Sequence, residues 1–301
     1  MVGAACLQLQ PEFFSSFVGS PLLHSRQQRQ LLPQLFRYNA GRKHVSMQLS
    51  RTLSGLTNLL FNRRNLNELQ NSKRKRLRPG KVSPPRPVPE NIPRPAYVKS
   101  KAPPGIVSGP QVHDEQGIIC MRASGKLAAE VLQYAGNLVK EGDIINIDVT
   151  VYLNGFHGDT SAMFFCGDVD DEARSLVQVT KECLDKAISI CAPGVEFKKI
   201  GKTIHDNADK YHYGVVREFV GHGVGRVFHA DPVIIHCRNN EGGRMMLNQT
   251  FTIEPMLTMG SINPVMWNDN WTIVTEDGSL SAQFEHTLLI TPDGAEIMTQ
   301  C

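Results

Sequence analysis

Apolar and polar residues alternate through the stretch IINIDVTVY, with Ile145, Ile147, Val149 and Val151 on one face and Asn146, Asp148, Thr150 and Tyr152 on the other. That is the period of a strand buried on one side. After Leu153 comes the dipeptide Asn154-Gly155, the strongest short hairpin signal. With those two residues at the turn, Leu153 pairs with Phe156, Thr150 with Asp159 and Asp148 with Ser161, because paired numbers keep a constant sum. Asp148 and Asp159 become diagonal neighbours on one face, roughly 7–8 Å apart at the backbone. Two bare carboxylates there would repel, and one would hold a proton. A divalent cation between them removes that conflict. On this stretch alone, a solvated hairpin face carrying two unrelated acids is an equal alternative.

The pattern elsewhere supplies the frame. Leu127, Val131, Tyr134, Ala135 and Leu138 recur at helical spacing and predict a first helix from Asp114 to Lys140. Leu176, Thr180, Cys183, Leu184, Ala187, Ile188 and Cys191 predict a second from Asp171 to Cys191, stopped by Ala192-Pro193-Gly194. Phe197, Ile200, Ile204, Ala208 and Tyr211 mark a third. After Gly214, VVREFVGHGVG reads as a strand running into a glycine-rich loop. QTFTIEPML, WTIVTEDG and SAQFEHTLLIT read as strands separated by turn residues such as Asp277-Gly278 and Asp293-Gly294. Helices followed by mostly antiparallel strands imply an α+β domain.

Charge divides the chain. Residues 1–100 hold seventeen Lys and Arg against three acids, Glu12, Glu68 and Glu90. A basic arm over 1–78, rich in Arg, Ser, Gln and Leu, looks like an organelle transit peptide for chloroplast or mitochondrion. KRKRLR (73–78) offers the rival reading of a nuclear or nucleic-acid patch. Ten prolines between Pro79 and Pro110 mark 79–112 as a linker, leaving 113–301 as the folded domain. The seven cysteines form no CxxC pair, which argues against a zinc ribbon or a disulfide scaffold. No apolar run approaches the ~18–20 residues of a membrane span.

Further donors lie in the later segments: His222 and His229 in GHGVGRVFH, Glu254 in FTIEP and Glu285 in QFEH. GHGVG lacks the spacing of a dinucleotide loop. Glu254 among Phe251, Ile253 and Met256, and Glu285 between Phe284 and TLLI, would each cost several kcal/mol on a buried strand unless paired or ligated. Two Asp, one or two His and two Glu suit a pair of divalent ions better than a tetrahedral structural zinc. Two such ions can share and acidify a water, which makes hydrolysis the natural chemistry.

The segments NIDVTVYLNGFHGDTS, FVGHGVGRVFH, FTIEPML and NWTIVTEDGSLSAQFEHT resemble type I methionine aminopeptidases of the organelle-targeted kind, over about Pro93 to Cys301. The resemblance implies the pita-bread fold, a pseudo-twofold repeat of helices packed on a curved antiparallel sheet. It implies two divalent ions (Co, Mn, Fe or Zn) held by Asp148, Asp159, His222, Glu254 and Glu285, with Asp159 and Glu285 bridging. Glu254 would serve as general base, and His229 would hydrogen-bond the scissile carbonyl or the oxyanion. Phe228 and Trp271 match positions lining the methionine pocket. The implied substrates are N-termini of nascent polypeptides with a small second residue, and the organellar ribosome is a candidate partner. The expected molecule is a monomer with no membrane and no sequence-specific nucleic-acid partner.

The implied repeat also exposes a departure. Asp148 aligns with Glu254 at an offset of 106, whereas NLVK (137–140) aligns with SICA (189–192) at 52, so the first half is 54 residues shorter. NLVK runs directly into EGDIINID. The family's second helix of that half, part of its pocket and an additional substrate-facing His are then missing at the 140/141 junction. His113, before the first helix, does not replace that His. The chain is therefore expected to be an aminopeptidase, with three alternatives: a catalytically impaired splice variant, a non-catalytic binding protein on the same fold, and a proline-directed aminopeptidase.

Overall fold

The computed structural model describes residues 77–78, 84, 86–99, 104–139, 144–268 and 272–300. The basic arm up to residue 76, the 140/141 junction and Trp271 lie outside the described residues.

A 3-10 turn at Ala96–Lys99 leads into β1 (Val107–Pro110), α1 (Glu115–Gly136) and the hairpin β2 (Ile144–Leu153) and β3 (Phe156–Phe165). Next come α2 (Asp171–Ser189), α3 (Lys198–Ala208), β4 (Gly214–Val215), β5 (Gly221–Gly223) and β6 (Ala230–Ile234). The remainder is β7 (Thr250–Ile253), β8 (Met256–Thr258), β9 (Pro264–Met266), β10 (Ile273–Thr275), β11 (Ser281–Gln283), β12 (Glu285–Thr291) and β13 (Gly294–Ile297). The three helices fall where the periodicity places them. The Asp114 side chain caps α1 by accepting from the Gly117 amide at 2.7 Å. Asp170 does the same for α2 with the Ala173 amide, and Asp171 and Glu172 in that first turn oppose the helix dipole.

The main sheet runs β1-β6-β5-β7-β12-β3-β2, with β13 also on β12. Among its pairings β1 with β6 is parallel and the others are antiparallel, an α+β arrangement. Three expectations change. Val107–Pro110, placed in the linker by their prolines, form an edge strand instead. QTFTIEPML and SAQFEHTLLIT each break into two strands, at Glu254-Pro255 and at Phe284. Gly221, His222 and Gly223 form β5 rather than a loop, because a Cβ at Gly221 would lie 2.3 Å from the Thr252 carbonyl oxygen and one at Gly223 2.2 Å from that of Asp231. These glycines permit close strand approach.

The principal apolar core lies between α2, α3 and the sheet, with Leu176, Leu184, Ile200, Ile204, Phe251 and Leu288 fully buried. The first half has a smaller cluster, Leu132, Ile147 and Val149, while Tyr134 on α1 is 68% exposed and Leu138, just past its end, 58% exposed. β7, which ends beside Glu254, is flanked by β5 and β12, whereas β2, which carries Asp148, ends the sheet. The described first half thus lacks the counterparts of α3 and β5.

Gly158 is where α1 crosses β3. A Cβ there would stand 2.4 Å from the Ser124 carbonyl oxygen and 2.8 Å from the Gly125 nitrogen. Backbone cannot retreat as a side-chain tip can, so Gly158→Ala is expected to destabilise the fold by roughly 1–3 kcal/mol. A thermal melt that matches the unchanged chain would refute this.

Candidate metal centre

The hairpin register places Asp148 opposite Ser161 and Thr150 opposite Asp159, as the alternation predicts. Strand β12 then lies beside β3 with Glu285 opposite Ser161, and beside β7 with His286 opposite Ile253. Asp148, Ser161 and Glu285 therefore form one row across three strands, and the antiparallel register carries that row on to Glu254. The adjacent row on the same face holds Thr150, Asp159, Thr287 and Thr252, and His222 joins it because its neighbour Gly223 pairs with Phe251. Side chains two residues apart share a face, so all five predicted donors project to one side.

That side is not solvated. Asp148, Asp159, His222 and Glu285 are each 5% exposed or less. The hairpin is therefore buried on both faces, the apolar one against α1 and the polar one inside the site. Donor atoms of Asp159, His222 and Glu285 lie within 4.8 Å of one another. His222 Nε2 is 3.5 Å from Asp159 Oδ2 and 3.7 Å from Glu254 Oε1. Hydroxyls of the interleaved threonines orient the acids: Thr150 donates to Asp159 Oδ1 at 2.8 Å and Thr252 to Glu254 Oε1 at 3.1 Å.

Burial, followed by the charges of Asp159 and Asp148, holds the Glu254 carboxyl well above its ordinary range. Burial and the charges of Asp159, Glu254 and Asp148 do the same to Glu285. Carboxylates this crowded ionise together only when a cation offsets them. Four carboxylates and an imidazole form a donor set that suits divalent ions from manganese to zinc. The residues present fit such a metal.

His229 packs against His222, with ring centroids 4.5 Å apart, and against Phe228 at 3.9 Å. Burial, then His222, holds its pKa well below the usual histidine value, so the ring is neutral. His229 Nδ1 faces the Pro104 carbonyl oxygen at 3.4 Å. Phe228 also lies 5.4 Å from the ring of His157, which puts it at the edge of the cluster.

Several residues of this region carry no sequence signal of their own. Tyr97 bonds His157 Nε2 at 2.8 Å through its hydroxyl, while His157 Nδ1 donates to the Gly225 carbonyl. His236, an isolated polar residue in the run VIIHC, is fully buried and accepts from the Glu254 amide. A lone His in an apolar run hints at such a partner but does not name it.

Comparison with known proteins accords with this geometry. The sequence pattern of metallopeptidase family M24 matches residues 109–292. Methionine aminopeptidase 1D, chloroplastic/mitochondrial, of Arabidopsis thaliana is 60% identical over 99% of this chain and 100% of the relative. Methionine aminopeptidase 1B, chloroplastic, of the same plant is 43% identical over 95% of this chain and 91% of its own length. The crystal structure of methionine aminopeptidase from Rickettsia prowazekii is similar at a TM-score of 0.61 and 36% identity, covering 64% of this chain and 100% of that one. Prolidase from Pyrococcus furiosus, at 16% identity and a TM-score of 0.53 over 63% of this chain and 65% of that one, shares the fold alone. The pita-bread expectation holds. The match to the 1D relative runs over 352 aligned positions against 301 residues here, so at least 51 positions face a gap in this chain. Family pattern, identity along nearly the whole chain and a common fold agree with the buried carboxylate cluster: the chain belongs to metallopeptidase family M24, among the methionine aminopeptidases.

Proposed function

We propose that this chain removes the N-terminal methionine from nascent polypeptides whose second residue is small, with two divalent ions held by Asp148, Asp159, His222, Glu254 and Glu285. The observation that carries the reading is the convergence of five donors, four of them buried and the Glu254 side chain 12% exposed, in two adjacent rows on one face of the sheet. Bound there, the metal pair supplies an acidified water and polarises the scissile carbonyl. With its charge offset by the cations, Glu254 would stand ionised, so its carboxylate could accept the proton of the attacking water and pass it to the leaving amine.

His229 is the donor to the carbonyl oxygen. A neutral imidazole has one N–H, so donating from Nε2 to substrate requires that Nδ1 give up the long contact to Pro104. Phe228 and Trp271 line the methionine side chain in this reading. The chloroplastic and mitochondrial names of the Arabidopsis relatives and the basic arm support a chloroplast or mitochondrial address. Domain limits of 1–78, 79–112 and 113–301 remain part of the proposal, with β1 docked on the domain.

Manganese-dependent release of methionine from Met-Ala-Ser tests the function. The full chain is expected to release it, and His229→Asn is expected to lower kcat roughly 10²-fold with manganese binding retained. Undiminished turnover in that variant would remove His229 from the reaction.

Three observations favour a second reading. The gap against the 1D relative, the exposed face of α1 and the terminal position of β2 all fit a block lost between 140 and 141. A protein that binds manganese but releases no methionine would support an impaired variant of this kind. Retention of all five donors weighs against a non-catalytic binder. The proline-directed alternative rests on a likeness of fold alone.

A further inference from the structure

His236 stands just beyond β6 at 1% exposure. Its Nδ1 lies 3.3 Å from the Phe219 carbonyl oxygen, and its Nε2 lies 3.1 Å from the Glu254 amide nitrogen. A carbonyl oxygen only accepts and an amide N–H only donates, so the ring must carry its single proton on Nδ1 and its lone pair on Nε2. The two partners fix the tautomer. Both also adjoin metal-ligand candidates. Glu254 is itself one, and Phe219 immediately precedes the segment that leads into His222.

Glu254 occupies an awkward place. β7 ends at Ile253 and β8 begins at Met256, with Pro255 between, so Glu254 sits where ladder pairing lapses. A buried N–H left without an acceptor there is destabilising and would favour a backbone that pulls the carboxylate away from Asp159 and His222. His236 supplies the acceptor.

We propose that His236 is a positioning residue for the metal centre, holding the Glu254 backbone at the strand break so that its carboxylate faces His222 and Asp159. The inference rests on the reading of Glu254 as a ligand and proton carrier, and neither ring nitrogen touches substrate.

Two substitutions separate positioning from packing. His236→Gln keeps a carbonyl oxygen near the place of Nε2 and can still accept from the Glu254 amide. His236→Asn keeps a donor near Nδ1 for the Phe219 carbonyl and loses the bond to Glu254. Calorimetric titration of manganese into the metal-free full chain is expected to show His236→Asn binding roughly 10- to 100-fold more weakly, with His236→Gln close to the unchanged protein. Methionine release is expected to show a lower kcat at similar KM for His236→Asn.

Unchanged manganese affinity in His236→Asn would overturn the proposal. So would equal weakening in both variants accompanied by equal losses of metal-free melting temperature, the pattern of a packing role. Should His236→Asn fail to fold, His236→Gln decides, since weak manganese binding by that folded variant counts against positioning and retained binding supports it. Failure of the functional reading looks different: the unchanged chain would bind manganese without releasing methionine, or would not bind it.

Discussion

Asp159→Asn is expected to lower kcat/KM for methionine release by on the order of 10³-fold or more, because metal stabilisation of transition-state charge contributes several kcal/mol. Asp159 stands centrally among the donors. It is 3.5 Å from His222, and its charge is the leading electrostatic influence on both Glu254 and Glu285. Asn has the same shape and can keep the Thr150 hydrogen bond, so β3 and its register should survive. The variant's metal-free melting temperature is expected to equal or exceed that of the unchanged chain, since one buried like charge is gone. Manganese-dependent release read beside a melt in chelator separates loss of chemistry from loss of fold. A decrease smaller than about tenfold, with the fold intact, would mean that catalytic metal does not depend on Asp159.

The second large effect is on stability. Stripped of metal, the chain is expected to become less stable as pH rises, contrary to the usual behaviour of carboxyl groups that gain a partner on folding. Glu254 and Glu285 have folded pKa values raised above their unfolded ones, so the folded chain keeps protons that the unfolded chain releases. Their contribution is complete below the unfolded carboxyl pKa and is lost as pH climbs through the raised folded values. For each such group the slope is about 1.4 kcal/mol per pH unit within that window.

Histidines act in the opposite sense at lower pH. Burial holds His229, His236 and His286 below their ordinary values, the last two at about 4, so stability linked to them is lost as pH falls through the histidine range. These histidines, and the thiols of Cys183 and Cys191 that burial holds above their ordinary values, are common to the unchanged chain and to Glu254→Gln, so the difference between their melting curves in chelator, followed upward from the unfolded carboxyl pKa, isolates the Glu254 carboxyl. The variant should show the shallower decline. Parallel curves would mean that Glu254 is not proton-bound in the folded chain, and excess manganese should reverse the slope, because binding requires deprotonated ligands.

Much of the site was legible because it rests on short-range rules. Asn154-Gly155 fixed the turn, and a turn fixes register, so the pairings of Asp148 with Ser161 and Thr150 with Asp159 follow from counting. The α2 helix was equally readable, since each apolar residue that defines its period is buried against the core. The five donors and His229 carried a signal as well: polar groups inside apolar strands or glycine-flanked segments demand a partner.

Other features depend on which strands become neighbours, and spacing along the chain does not encode that. The glycines around His222 read as a loop because a tight turn and a close strand contact ask for the same residue. Val107–Pro110 read as linker because their prolines say nothing about the β6 edge that receives them. The chain by itself determined the helices, the hairpin register and the identity of the donors. Tertiary structure decided that Ser161 lies between Asp148 and Glu285, that both strands carrying glutamates break beside them, and that His236 takes up the Glu254 amide. Those depend on contacts between segments far apart in sequence, where burial and hydrogen-bond satisfaction select the arrangement.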